Sequence, residues 1–111
     1  MAGCIFCRLI ADPGFDALYR DDDVIAFADL NPQAPVHFLV VPRQHVETIS
    51  ALEDDHLLGR IFAAAHQVAR EKGVGEGGYR LLLNEGPNAG QTVYHVHLHV
   101  LGGRQLSWPP G

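Results

Sequence analysis

The chain has 111 residues, of which 47% are hydrophobic, and it carries a formal net charge of −5 with histidine counted as neutral. This size and composition favour one domain, residues 1–111, built around a single core. No stretch has the length and apolarity of a membrane span, no signal segment opens the chain, and Lys72 is the only lysine. We therefore expect no membrane insertion, no export and no nucleic-acid binding.

The first half of the chain predicts a short helix followed by three strands. Apolar residues spaced for one helix face predict a helix over 4–10. Two short strands, 17–20 and 24–28, flank an acidic turn, and this order indicates an antiparallel hairpin. The nearly continuous apolar run 37–42 predicts a central strand that ends at a proline.

The second half predicts one long helix and two strands. A broad apolar stripe predicts a helix over 53–72, with acidic residues at its start and Gly73 just past its end. Strands follow at 79–84 and 94–101, separated by a glycine-rich loop. Short connections in this order predict an α+β domain with an antiparallel sheet.

The last of these strands alternates histidine with aliphatic residues, which is the pattern of a strand with two unlike faces. His95, His97 and His99 would line one face, and the aliphatic residues between them would be buried against a helix or a second layer. Three buried histidines in a row are costly, because each ring nitrogen needs a partner. The motif therefore favours metal ligation, or a nucleophile or base with neighbouring helpers.

Several segments together resemble one known family. The strand matches the His-φ-His-φ-His-φ-φ signature of the histidine triad (HIT) superfamily, and residues 29–45 are similar to that family's nucleotide loop and central strand. Residues 84–86 and 89–95 look like its phosphate loop. Residues 102–111 look like the C-terminus of the Hint branch, the histidine triad nucleotide-binding proteins. The likeness covers nearly the whole chain.

This resemblance implies a five-stranded antiparallel sheet with one long helix and a short N-terminal helix, and a homodimer that joins two sheets into one of ten strands. It implies hydrolysis of the P–N bond of purine nucleoside 5′-phosphoramidates, with acyl-adenylates as a further substrate class, to give the nucleoside monophosphate. His97 corresponds to the family's nucleophile, which forms a nucleotidyl-histidine intermediate. His99 corresponds to the residue beside the phosphate oxygens.

The same resemblance places further residues around the nucleotide. Thr92 and His37 join the two histidines in the catalytic group, and Asp29 corresponds to the carboxylate that binds the ribose hydroxyls. The tail with Trp108 would reach towards the partner subunit's active site. The other candidates for the base slot and the phosphate are Ile5, Phe6, Leu9, Phe27, Leu30, Leu39, Asn84, Gly90 and Gln91.

Cys4 and Cys7 form a C-x-x-C pair with three open interpretations: core residues, a redox pair, or two zinc ligands. Without an export signal we expect no structural disulfide, and a reducing cytoplasmic location. Some histidine triad proteins with this pair bind zinc through histidines that correspond to His45 and His95. The resemblance thus implies a structural zinc on these four residues, and no cofactor for catalysis.

Two other functions compete with the phosphoramidase. A metallohydrolase would use His95, His97 and His99 as ligands of a catalytic metal ion, and chelation would then stop it at once. A nucleotide-binding adaptor protein would bind a purine monophosphate and hydrolyse phosphoramidates only incidentally.

Overall fold

The computed structural model describes residues 3–111 and contains one five-stranded sheet with a helix on each face. The elements in chain order are α1 (Ile5–Ala11), β1 (Tyr19–Arg20), β2 (Val24–Ala28), β3 (Val36–Pro42), α2 (Asp55–Glu71), β4 (Tyr79–Leu82) and β5 (Leu98–Gly102). The strand order is β1-β2-β3-β5-β4, and every neighbouring pair is antiparallel. The predicted fold class is confirmed.

The main core lies between the sheet and α2. Because side chains alternate along a strand, one set of residues from β2, β3 and β5 faces this helix. The buried members of this core are Val24, Ala26, Phe38, Val40, Leu57, Ile61, Ala64, Ala65, Val68, Ala69, Val74, Val96, Leu98 and Val100. The last three are the aliphatic residues around the histidines, so their predicted burial is confirmed, and of the two alternatives it is the long helix that covers them.

The opposite face of the sheet carries the short helix α1. A second cluster of buried residues lies here: Cys4, Phe6, Ile25, Phe27, Leu39 and Val41. Cys4 caps α1, because its Sγ accepts the backbone N–H of Cys7 at 3.4 Å. The cap lies outside the helix, which explains why α1 begins one residue later than predicted.

The long helix is two residues shorter at its start and one shorter at its end than the prediction 53–72. Asp54 has an extended backbone and acts as the N-cap, with its Oδ1 accepting the N–H of Leu57 at 3.1 Å. Gly73 follows the C-cap with φ +80°, as expected of a residue that ends a helix. No helix within residues 3–111 is long and apolar enough to cross a bilayer.

The histidine strand is shorter than predicted, since β5 begins at Leu98 and both His95 and His97 precede it. The ladder with β3 stops here because Pro42, at the end of β3, has no N–H to donate. Its carbonyl oxygen instead lies 2.8 Å from Nε2 of His95. The alternation therefore indicated the right faces but overestimated the extent of the strand. β1 and β4 also lack two residues each of the predicted 17–20 and 79–84.

Candidate active site

A cavity of about 460 Å³ opens on the face of the sheet that carries α1. Its wall combines aromatic and aliphatic side chains with a carboxylate, an amide, a hydroxyl and two imidazoles. The lining residues are Ile5, Phe6, Leu9, Phe15, Phe27, Ala28, Asp29, Leu30, Leu39, Asn84, Gly90, Thr92, Val93, His97 and His99. The fold thus brings to one site residues that lie up to 94 positions apart in the chain.

Three lining residues are absent from the sequence-based prediction: Phe15, Ala28 and Val93. Phe15 lies in an irregular segment between α1 and β1, where no periodicity marks it. Its ring centroid is 5.4 Å from that of Phe27, in an edge-to-face arrangement. A large aromatic residue just after a helix-ending Pro-Gly is the signal that would have identified it.

Three predicted site residues do not line the cavity. His37 is buried behind its wall, and Trp108 is 80% exposed on the C-terminal tail. Gln91 is buried, and its side chain bonds the backbone of two segments: Oε1 accepts the N–H of Gly86 in its own loop at 3.0 Å, and Nε2 donates to the carbonyl of Glu47, in the connection after β3, at 2.8 Å. We therefore correct the predicted contact between the Gln91 amide and a phosphate, because the oxygen and the nitrogen of this amide already make hydrogen bonds to the backbone.

Helix α1 supplies one wall of the cavity through Phe6. The ring centroid of Phe6 lies 5.6 Å from that of Phe27 and 5.1 Å from that of His97, both edge to face. It also lies 5.8 Å from the ring of His95. Phe6 therefore fixes the helix against two of the triad histidines.

The ring of His97 has one nitrogen hydrogen-bonded to the main chain, and the other has no hydrogen-bond partner among residues 3–111. Its Nδ1 lies 2.8 Å from the carbonyl oxygen of His95, so Nδ1 carries the proton and donates it. In the neutral ring the lone pair is then on Nε2. The ring lines the cavity 5.0 Å from the ring of His99, and Nε2 is therefore the atom of His97 available for nucleophilic attack.

The proton position on His99 is set by two further hydrogen bonds. The backbone N–H of Gln33 donates to Nδ1 of His37 at 3.0 Å, so the proton of neutral His37 lies on Nε2. This Nε2 lies 3.0 Å from Nδ1 of His99 and donates to it. The proton of neutral His99 is consequently on its own Nε2, the nitrogen that is left to face the cavity.

Asp29 joins this hydrogen-bond group from the end of β2. Its Oδ1 accepts the backbone N–H of Asn31 at 2.8 Å, which shapes the loop. Its Oδ2 lies 3.4 Å from Nε2 of His37 and 4.0 Å from Nδ1 of His99. One carboxylate oxygen is thus structural, and the other lies beside the two histidines and the cavity.

Within residues 3–111, two groups of side chains are close enough to share a metal ion, and one of them is Cys4, Cys7, His45 and His95. Nδ1 of His95 is 3.3 Å from Sγ of Cys4 and 3.2 Å from Nδ1 of His45. These separations are close to the roughly 3.3–3.8 Å between ligands of a tetrahedral zinc ion. The Nε2–H of His95 donates to the carbonyl of Pro42, which leaves its Nδ1 lone pair directed at the cluster. The cluster therefore fits zinc.

The second group, Asp29, His37 and His99, does not fit a metal ion as well. A metal ion on Nε2 of His37 would require the proton of that ring to be on Nδ1. The backbone N–H of Gln33 already points at this Nδ1 from 3.0 Å. Two N–H groups would then face each other, so this group is better described as a hydrogen-bond relay.

Comparisons with known proteins agree with this architecture. The HIT domain model matches residues 15–106, and the chain belongs to this family. An uncharacterized HIT-like protein of Synechocystis is 50% identical over 96 residues, which are 85% of this chain and 83% of that protein. The crystal structure of a HIT family hydrolase from Legionella pneumophila superposes with a TM-score of 0.90 at 43% identity and covers 97% of this chain and 99% of that one. That of a histidine triad nucleotide-binding protein from Candida albicans has a TM-score of 0.80 at 29% identity, covering 96% and 82%.

The environment of His99 predicts a pH-dependent stability. Burial, with a smaller effect of the His97 and His37 rings, lowers the pKa of His99 from the ordinary 6.5 to about 4. The unfolded chain then takes up a proton below about pH 6.5 that the folded chain does not take up until about pH 4. The free energy of unfolding should therefore fall as the pH falls through this window, by at most about 3 kcal/mol.

Urea denaturation at several pH values, with chelator present, measures this effect. In the His99→Asn variant the fall between pH 6.5 and 4 should be smaller than in the unmodified protein. Parallel curves for the two proteins would contradict the lowered pKa of His99.

Proposed function

We propose that this HIT-family protein is a nucleoside phosphoramidase of the Hint branch, which hydrolyses the P–N bond of purine nucleoside 5′-phosphoramidates. The proposal rests on the proton positions of two neighbouring imidazole rings, which are complementary. His97 has a lone pair on Nε2, and His99 has a proton on Nε2, at one cavity. The names of two structural neighbours, a hydrolase and a nucleotide-binding protein, support the same class of activity.

The proposed reaction begins when the lone pair of His97 Nε2 attacks the α-phosphorus. The P–N bond breaks, the nitrogen keeps the electron pair, takes up a proton from solvent and leaves as the amine, and the nucleotide is held on His97 as a nucleotidyl-imidazole. The Nε2–H of His99 donates to a phosphate oxygen, on which negative charge develops. Water then attacks the same phosphorus and returns a proton to solvent, and the imidazole of His97 leaves with the electron pair of the P–N bond to His97 as the nucleoside monophosphate is released.

The remaining cavity residues suit the parts of a nucleotide. The aromatic and aliphatic wall with Phe6, Phe27 and Leu30 suits a planar purine. The carboxylate of Asp29 suits the ribose hydroxyls, and acyl-adenylates share these groups. Asn84, Gly90 and Thr92 suit the phosphate and the departing amine. Gln91 supports these contacts indirectly, since it holds the loop on which two of these residues lie.

We also propose the homodimer that the family resemblance implies. The Trp108 side chain is 80% exposed and lies outside the cavity of its own chain. This position is compatible with a tail that reaches the leaving-group side of the partner subunit's cavity.

We further propose that Cys4, Cys7, His45 and His95 hold a structural zinc ion. Two cysteines and two histidines complete a tetrahedral set, so no coordination position would remain for a substrate. The ion would tie α1 to the segment before β5. It would leave His97 and His99 free, in contrast to a metallohydrolase that uses the triad as ligands.

Replacement of the nucleophile tests the proposed activity. His97→Ala should lower the turnover of an adenosine 5′-phosphoramidate with a fluorescent amine leaving group by at least about 10³-fold, because the proposed covalent intermediate forms on this ring. His56→Ala is the matched control, since His56 is an exposed histidine on α2. Turnover of His97→Ala at the rate of the control would contradict the proposal.

Metal analysis tests the zinc site. Protein purified without chelator and supplied with zinc should hold one equivalent per chain. The Cys4→Ser variant should lose most of it, and zinc should raise the free energy of unfolding of the unmodified protein only. The same metal content in Cys4→Ser, or no stabilisation of the unmodified protein by zinc, would count against the site.

A further inference from the structure

We propose that Arg104, an exposed residue of the C-terminal tail, is a positioning residue that acts on His99 through Gln33 and His37. The tail holds the loop after β2, and this loop determines which nitrogen of His99 carries the proton. The kinetic part of this inference rests on the proposed function, whereas the proton position can be measured without any substrate.

The first step is the contact between the tail and the loop 29–35. Nη2 and Nε of Arg104 both donate to the carbonyl oxygen of Gln33, at 2.9 and 3.3 Å. The preceding Gly103 has φ +91°, and a Cβ atom there would lie 3.0 Å from Cβ of Pro35. A backbone conformation that favours glycine thus brings the tail into close contact with the loop, and a charged hydrogen bond holds it there.

The second step runs from the loop to His37. The backbone N–H of Gln33 donates to Nδ1 of His37 at 3.0 Å, and the His37 side chain is buried. A backbone N–H cannot accept a hydrogen bond, so it permits only the unprotonated form of Nδ1. The position of Gln33 therefore favours the Nε2–H tautomer of His37, in the same direction as the carboxylate of Asp29, whose Oδ2 lies 3.4 Å from that Nε2.

The third step runs from His37 to the cavity. Its Nε2–H donates to Nδ1 of His99 at 3.0 Å, which keeps the proton of His99 on Nε2. The opposite tautomer of His99 would present a lone pair to an anionic ligand and would repel it. The relay thus makes His99 a hydrogen-bond donor to the cavity while both rings are neutral.

Arg104 is the place to test this relay, because its side chain lies at the exposed end and touches neither histidine. Within residues 3–111, no other side chain donates to the carbonyl of Gln33. The chain also offers a matched control in Arg80. Its Nη2 donates to the carbonyl of Ser107 at 3.0 Å, so it too holds the tail, but at a point away from the loop.

The experiment measures the ¹⁵N shifts of the histidine rings near pH 7 in the full-length, ligand-free protein. In the unmodified protein, His37 and His99 should each show a protonated Nε2 and an unprotonated Nδ1. In Arg104→Gln, both rings should move towards the two-tautomer mixture of an unconstrained histidine. In Arg104→Lys the ring shifts should lie between those of Arg104→Gln and those of the unmodified protein. In Arg80→Gln they should match those of the unmodified protein.

Turnover of the adenosine phosphoramidate gives a second readout. Arg104→Gln should lower kcat by roughly 3- to 10-fold with a smaller change in KM, and His56→Ala, on an exposed face of α2, should leave both unchanged. If the unmodified protein shows no turnover, the proposed function fails, and the ring shifts still decide the positioning role.

Three results would overturn the inference. The first is a proton on Nδ1 of His99 in the unmodified protein. The second is ring shifts in Arg104→Gln that equal those of the unmodified protein. The third is an equal change of the ring shifts in Arg80→Gln and in Arg104→Gln, because a general loosening of the tail would then account for both.

Discussion

The site depends on hydrogen bonds from the main chain that fix the protons on the histidine rings at the cavity and behind its wall. The carbonyl of His95 accepts the proton of His97 Nδ1, and the N–H of Gln33 permits only the Nε2–H form of His37. Each bond is short and joins a ring to the backbone, whose donor and acceptor cannot be exchanged. As a consequence, two adjacent imidazoles present opposite groups to one cavity, a lone pair on His97 and a donor on His99.

The short helix α1 links this chemistry to the cysteine–histidine cluster. Its N-cap Cys4 and its first-turn Cys7 belong to that cluster, while Phe6 between them packs against His97. A helix of seven residues has little intrinsic stability, so its position depends on such side-chain contacts. Under the proposed zinc site, the ion would therefore hold the wall of the nucleotide cavity as well as the N-terminal segment.

Much of the fold could be predicted because it follows from local patterns of apolar and polar residues in the sequence. The apolar stripe and caps of α2 gave its bounds within two residues, and the histidine alternation gave the two faces of β5. The start of β5 could not be read from that alternation, because it is set by the missing N–H of Pro42 on a neighbouring strand. Burial of the Gln91 side chain likewise depends on backbone groups of two separate segments that only the folded chain brings together.

The sequence could predict those site residues whose side-chain type by itself indicates a chemical role. His97, His99 and Asp29 stood out in the sequence and do line one cavity. The protons on these rings were not predictable, because they depend on the backbone of Gln33, 66 residues before His99. Arg104 was missed for the same reason, since its partner is a carbonyl oxygen and not a side chain.

The central claim is that Nε2 of His97 attacks phosphorus. Rapid acid quenching during turnover of an adenosine phosphoramidate, followed by mass spectrometry of the peptides, tests it most directly. We expect a nucleotidyl group on the peptide that contains His97, with fragmentation placing it on that ring, and no such group in His97→Ala. Product formed without any adduct on this ring, or an adduct on another residue, would contradict it.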